Sequence, residues 1–358
     1  MRSIIPDGLP YVSCHRLDST PHIVVDGNPG KSCVLVLSHW PASLTPRSLR
    51  RDLSVEIALA YLGRRRYWTH EAEAVTNDHF DEDGLASVFA IAEPARALAG
   101  GEKLTSFARA GDFGIVDHLR AAQSVLVVRA LSDEKRSPLG LDPAPSSPDN
   151  VDLTARRYEE LLPRLPEILD EPEHFMDLIE DEQAAYVAAR DAVRDGRVGV
   201  EEHDESSLTV IRVPEDLSIA KEMSFAHGRM LAIHPWAVHS ATRNPRIFVI
   251  KGAQYCYYDR YETWVRFMSR RLAKRRNLIF LAEQLSNEER GGIVWHASEP
   301  SDLVPICAPD VGVESSLRPE RALEILRRYL TTSPEAWDPS RTPPELNAPL
   351  VKKAELPR

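Results

Sequence analysis

Cysteine is sparse in this chain. There are four in 358 residues, Cys14, Cys33, Cys256 and Cys307, with no CxxC pair, which excludes a zinc knuckle and a disulfide-stapled scaffold. Glycine is scarce too, 17 residues against 27 prolines. No Gly-rich phosphate loop, GxSxG elbow or HExxH helix occurs, so P-loop, α/β-hydrolase and zincin chemistries fall away. No apolar run approaches the roughly 18 residues that span a bilayer, and the opening MRSIIPDGLPYVSC lacks the basic start and apolar stretch of a secretory signal. These absences predict a cytoplasmic protein with no membrane partner. Basic residues number 44 against 54 acidic ones, and the net charge of −10 repels long nucleic acids and favours a small partner. What is present is ordinary: 43% hydrophobic and 27% charged residues describe a globular chain long enough for about two domains.

The N-terminal part alternates strand and helix signals. HIVVDG (22–27), CVLVLSH (33–39) and AEAVTND (72–78) are short apolar runs bounded by turn residues. Helical spacing runs through 46–62, and again through Leu85, Val88, Phe89 and Ala92. This alternation predicts an α/β fold, with a largely parallel-sheet N-terminal domain over residues 1–131 that carries a metal site. Pro138, Pro143, Pro145 and Pro148 mark residues 132–152 as a linker. Residues 153–338 read as a helical connector, broken at Pro163, Pro166 and Pro172, and a smaller mixed α+β domain that caps the substrate. There RIFVIKG and QYCYYDRYE nearly abut, which predicts a hairpin in an antiparallel sheet. A closing helix is predicted near 319–331, and 339–358 reads as a loose tail.

The most informative stretch is NDHFDEDGLAS, residues 77–87. His79, Asp81 and Asp83 alternate, and in an extended segment side chains two apart point the same way, so one imidazole and two carboxylates converge. Gly84 allows a sharp turn into the following helix. Open α/β sheets place ligands at the carboxyl ends of their strands, and mixed nitrogen and oxygen donors suit Mn²⁺, Mg²⁺, Fe²⁺ or Zn²⁺. Asp78 and Glu82 add to the crowding, which a cation would relieve. A simpler reading of the same carboxylates is a helix N-cap. His39 ends the preceding β-like run in the equivalent place, with Asp52 and Glu56 as groups that could support it.

At these residues the chain resembles the DHH phosphoesterase superfamily. Its first motif is an apolar strand running into His-x-Asp-x-Asp-Gly with a small residue three positions later, and VTNDHFDEDGLAS supplies His79, Asp81, Asp83, Gly84 and Ser87 in that pattern. The resemblance covers about a tenth of the chain. It implies ligands for catalytic divalent metals, usually manganese, with magnesium as the alternative. It also implies hydrolysis of a phosphoester or phosphoanhydride in a small phosphorylated molecule or short oligonucleotide. Asp112 in FARAGDFG is the natural second-motif aspartate. The third motif, Asp-His-His, is absent: VDHL offers only Asp117 and His118, and no fourth-motif aspartate can be assigned. The HPWAVHSATR and YETW segments look like an uncharacterised bacterial family, which supplies no activity.

In HPWAVHSATR, His239 and Arg243 stand four apart, Arg243 to clamp a phosphoryl group and His239 to hydrogen-bond the leaving oxygen. WVRFMSRRLAKRRN (264–277) reads as a solvated basic helix face, or else as a stacking surface for a short single strand. The expectation is therefore a metal-dependent phosphohydrolase. His79, Asp81, Asp83 and Asp112 hold metal, Asp83, His239 and Arg243 are catalytic, and His39, Asp117 and His118 are further candidates. The alternative is a catalytically incomplete relative that binds a phosphorylated ligand or a protein partner; a homodimer is compatible with either.

Overall fold

The computed structural model describes residues 7–64, 71–132, 148–217, 233–310 and 312–340. The linker read at 132–152 and the tail from 339 fall largely outside them. The first sheet is built from β1 (His22–Val25), β2 (Cys33–Leu37) and β3 (Ala74–Thr76), all parallel in the order β2-β1-β3. Every residue of the central β1 is buried, which is why HIVV carries no polar alternation. Around this sheet lie α1 (Ser54–Leu62), α2 (Glu82–Ala92), α3 (Pro94–Ala99), α4 (Gly101–Asp112) and α5 (Leu119–Leu131). Their apolar faces share one core with Ile23, Val25, Leu37 and Val75 of the strands.

The helix expected from residue 46 begins only at Ser54. Leu53 keeps an extended backbone. Thr45 does not cap a helix; its hydroxyl accepts from the Ser38 amide at 2.8 Å and donates to the Ser38 carbonyl at 2.7 Å, closing a buried turn. This local side-chain pairing competes successfully with helix formation.

The connector follows its prolines: α6 (Pro148–Leu161), α7 (Leu165–Asp170) and α8 (Met176–Arg194). A second sheet comprises β4 (Gly199–His203), β5 (Leu208–Val213), β6 (Arg246–Lys251), β7 (Gln254–Asp259), β8 (Trp295–Ala297) and β9 (Ile306–Pro309). Their order is β4-β5-β6-β7-β9-β8. All its pairs are antiparallel except β5 with β6, which run parallel because the chain crosses over through α9 (Pro235–Ala241). The predicted hairpin joins β6 to β7 through Gly252 and Ala253. Phe248, Ile250, Tyr255 and Tyr257 pack with α10 (Leu278–Glu288) and α11 (Pro319–Thr332), whereas Ile247, Val249, Cys256 and Tyr258 pack with α8 and α9. Helices cover both faces, so these strands read as continuous apolar runs.

The basic run 264–277 forms no helix, a correction to the sequence reading. One of its arginines is used inside the protein. Arg275 is fully buried and donates to Thr263 Oγ1 and to the carbonyls of Pro300, Asp302 and Leu303 at 2.5–2.8 Å. Among the described residues no helix is long and apolar enough to cross a membrane.

Candidate metal centre

The carboxyl ends of β1 and β2 meet the turn from β3 into α2 and the last residue of α4. Four segments thereby bring together Asp26, His39, His79, Asp81, Asp83 and Asp112. His39 Nε2 lies 3.3 Å from Asp26 Oδ1, 3.6 Å from Asp112 Oδ2 and 3.9 Å from Asp83 Oδ2. His79 Nε2 lies 2.9 Å from Asp81 Oδ2 and 3.5 Å from Asp26 Oδ2. Two groups of potential ligands result, Asp26-His79-Asp81 and Asp26-His39-Asp83, the donor atoms of each lying within 4.8 Å of one another. Asp26 belongs to both.

His39 is oriented by its surroundings. Nδ1 is 2.6 Å from the Asp52 carbonyl, which can only accept, so Nδ1 donates there. Nε2 is thereby turned toward three carboxylates. His39 Nε2, Asp26 Oδ2 and Asp112 Oδ2 are all buried without a hydrogen-bond partner. Acceptors turned on one another in a dry site are costly unless a cation or proton sits among them. The donor set thus fits a divalent metal.

The supporting contacts explain why the sequence folds this way. Asp26 has φ of 45°, a left-handed conformation that aspartate tolerates better than most residues. Its Oδ1 accepts from Ser54 Oγ at 2.6 Å. Asp83 accepts from the Ser54 and Val55 amides at 2.6 and 2.8 Å, satisfying the exposed donors of the first turn of α1 from another helix. Asp81 is the N-cap of α2: Oδ1 takes the Gly84 amide at 2.6 Å while Oδ2 faces His79. Cap and ligand are thus two oxygens of one side chain. Convergence comes from this turn and first helical turn, and not from an extended segment, since β3 ends at Thr76. Gly84 is likewise inside α2; its need is space, because a Cβ there would stand 2.4 Å from Asn77 Nδ2 and 2.6 Å from the Tyr158 hydroxyl.

Electrostatics match the crowding. Burial, followed by the charges of neighbouring carboxylates, holds Asp26 above the usual carboxylate range and Asp83 and Asp112 well above it. Burial works to lower His79, but the charge of Asp81 and the adjoining carboxylates of Asp26 and Asp78 outweigh it and raise the imidazole well above its ordinary value. The side chains of Asp26, His39 and Asp83 are at most 1% exposed, whereas His79 and Asp81 reach 11 and 14%. Solvent therefore meets the centre along its His79–Asp81 edge, beside Trp40, whose ring is 5.0 Å from His79.

The other sequence candidates lie elsewhere. Glu82 turns away to a buried pair with Arg129 at 2.9 Å. Asp117 accepts from Ser106 and Arg109, both at 2.9 Å, and His118 is the exposed N-cap of α5. His39 leans on the backbone carbonyl of Asp52, while the Asp52 and Glu56 carboxylates serve backbone amides at Met268, Ser269 and Leu53. Both ring nitrogens of His239 are engaged, Nδ1 with the Phe113 carbonyl at 2.9 Å and Nε2 with the Tyr258 hydroxyl at 3.0 Å. Burial and the nearby Arg260 hold it well below the ordinary imidazole value, hence neutral. Arg243 is exposed on the wall of a neighbouring cavity. Asp26 was missed by sequence reasoning; the available signal was a carboxylate directly after the apolar run Ile23–Val25 in HIVVD.

A buried set of imidazoles and carboxylates at the carboxyl ends of a parallel sheet marks an α/β protein with groups that could hold a metal ion. More particularly, the chain belongs to a family of unknown function, DUF6687, whose model matches residues 7–341. No curated protein and no solved structure matches it.

Proposed function

We propose that the chain is a divalent-metal-dependent hydrolase of phosphoesters or phosphoanhydrides in small phosphorylated molecules or short oligonucleotides. The observation that carries this reading is the buried, unpartnered His39 Nε2 among orphaned oxygens of Asp26 and Asp112. Asp26 serves both ligand groups, so the residues suit two cations, one toward His79 and Asp81 and the other toward His39, Asp83 and Asp112. When bound, such ions polarise phosphoryl oxygens and acidify water. Manganese is the metal expected for two imidazoles among four carboxylates, with magnesium the alternative. The resemblance of HFDEDG to the first DHH motif supports the same chemistry.

The chain's own groups then have definite tasks. The Asp52 carbonyl fixes the His39 tautomer, and Asp78, 3.0 Å from His79 Nδ1, orients the second imidazole. The α1 amides orient Asp83. The His79–Asp81 edge admits substrate and water. A screen of phosphomonoesters, phosphodiesters and dinucleotides with Mn²⁺ and Mg²⁺ tests the proposal, with Asp26→Asn and Asp83→Ala alongside. It is refuted if the protein binds neither metal and hydrolyses nothing, or if activity survives both substitutions. Stoichiometric metal without turnover would favour the non-catalytic, ligand-binding alternative.

A further inference from the structure

A cavity of about 800 Å³ lies beside the metal-ligand cluster. Its wall includes Phe113, the residue after Asp112, and Asp52, whose carbonyl holds His39. Five arginines line it. Two are neutralised: Arg109 by Asp117 at 2.9 Å and Glu56 at 3.4 Å, and Arg270 by Glu262 at 2.9 Å. The other three, Arg50, Arg51 and Arg243, pair with no carboxylate among the described residues. Arg50 donates only to the Thr45 carbonyl at 3.2 Å, and Arg51 only to backbone carbonyls, that of Arg50 at 2.6 Å being the nearer.

The four acidic lining residues leave the five arginines one positive charge in excess, and each of them is held by other groups. Asp52 accepts from the Met268 and Ser269 amides, and Glu56 from the Leu53 amide. Glu202 accepts from the Thr242 hydroxyl at 2.6 Å, and Glu262 sits between Arg260 and Arg270. Cations also crowd behind the wall. Arg50 and Arg266 are both depressed by burial and then by a like charge, Arg47 and Arg50 respectively, and Arg266 Nε is buried without a partner. Apolar surface is present as well, in Phe113, Ile115 and Phe267. The volume falls in the range of small-molecule sites, and unpaired guanidiniums with apolar flanks suit an anion carried on an organic body.

We infer that this cavity is a binding site for an organic phosphate bearing at least two negative charges, held by Arg50, Arg51 and Arg243. The site goes beyond the hydrolase reading and does not depend on bound metal. It assigns Arg243 to ligand capture and not to the reacting centre, since none of the ion pairs or hydrogen bonds of the cluster includes it.

The test is calorimetric titration of the full chain in EDTA with two probes, inorganic pyrophosphate and adenosine 5′-diphosphate. Both should bind, the nucleotide more tightly, with affinity falling as salt rises. Arg51→Ala and Arg243→Ala should each weaken binding about tenfold or more, and the double variant should abolish it. Among the described residues the Arg243 side chain makes no internal hydrogen bond or ion pair, its only bond being a backbone carbonyl that accepts from Arg270, so its variant keeps the test valid if Arg51→Ala proves unstable in a melting control. Absence of binding in EDTA, or unchanged affinity in Arg243→Ala and the double variant, overturns the assignment. Either result leaves the hydrolase reading intact, whereas binding in EDTA without any manganese-dependent turnover counts against that reading alone.

Discussion

Asp26 is the residue through which the centre can be tested most sharply, because removing its charge should stabilise the empty protein while abolishing its response to metal. Asp26 has donor atoms within 4.8 Å of those of Asp81 and of Asp83, and two ionised carboxylates at that distance repel by about 3.5 kcal/mol at an effective dielectric near 20. Asp26→Asn removes this repulsion and keeps an oxygen for the Ser54 hydroxyl. A gain on the order of 1–3 kcal/mol is expected without metal, with protonation in the native chain already relieving part of the strain. For the native protein, each site at a hundredfold excess of metal over its dissociation constant adds about 2.7 kcal/mol. Two sites would raise Tm by roughly 10 °C or more, at about 2–4 °C per kcal/mol. The assay is thermal unfolding in EDTA and in Mn²⁺, with bound manganese counted by elemental analysis. Asp26→Asn should melt higher than native protein in EDTA, gain nothing from Mn²⁺ and bind none, while Asp81→Asn retains one ion. The reasoning fails if Asp26→Asn holds as much manganese as Asp81→Asn, or melts several degrees lower than native protein in EDTA.

Other expectations concern pH, packing and the buried pair. Asp83, Asp112 and His79 all have raised values in the fold, so the stability they contribute is full below their unfolded values and is lost as pH rises through their folded ones; His239, depressed, already stays neutral above pH about 6.5. Metal-free protein should therefore lose stability as pH rises above about 4, the unfolded carboxylate value, with His79 adding its share above about 6.5, in urea titrations with EDTA, and Mn²⁺ should flatten the slope. Gly114 has φ of 63°, and a Cβ there would meet His239 Nδ1 at 2.8 Å; Gly114→Ala should cost roughly 2–4 kcal/mol in the same assay and weaken manganese binding through Asp112. Arg129→Ala strands the buried Glu82 carboxylate and should cost about 3–5 kcal/mol, much of it recovered when Glu82→Leu is added.

The elements that sequence reading found are those whose signals are local. HIVV and CVLVL are short, apolar and bounded by turn residues, and RIFVIK and QYCYYD are two residues apart, so strands and hairpin follow from pattern alone. His79, Asp81 and Asp83 were visible because they are neighbours. Asp26 was not, since a single aspartate after a strand looks like any turn residue until β1 takes the middle of the sheet, between the strands that deliver His39 and His79. Residues 46–53 kept helical spacing, yet Thr45 and Ser38 bonded to each other instead. The arginines of 264–277 had the composition of a solvated helix face, and only the distant carbonyls around Arg275 draw that one residue inside.

The end of α4 carries a consequence for how the chain can be divided. Phe113, its C-cap, has its carbonyl held by His239 at 2.9 Å and Arg260 at 3.4 Å, and Trp236, Trp264 and Val265 belong to the core around the first sheet. The helix that presents Asp112 is thus finished by chain synthesised more than a hundred residues later. A nascent or truncated N-terminal half would own five of its helices and every candidate metal ligand, yet lack the groups that hold the last ligand in place. Metal capture should accordingly be a late event, acquired only when the second half has docked.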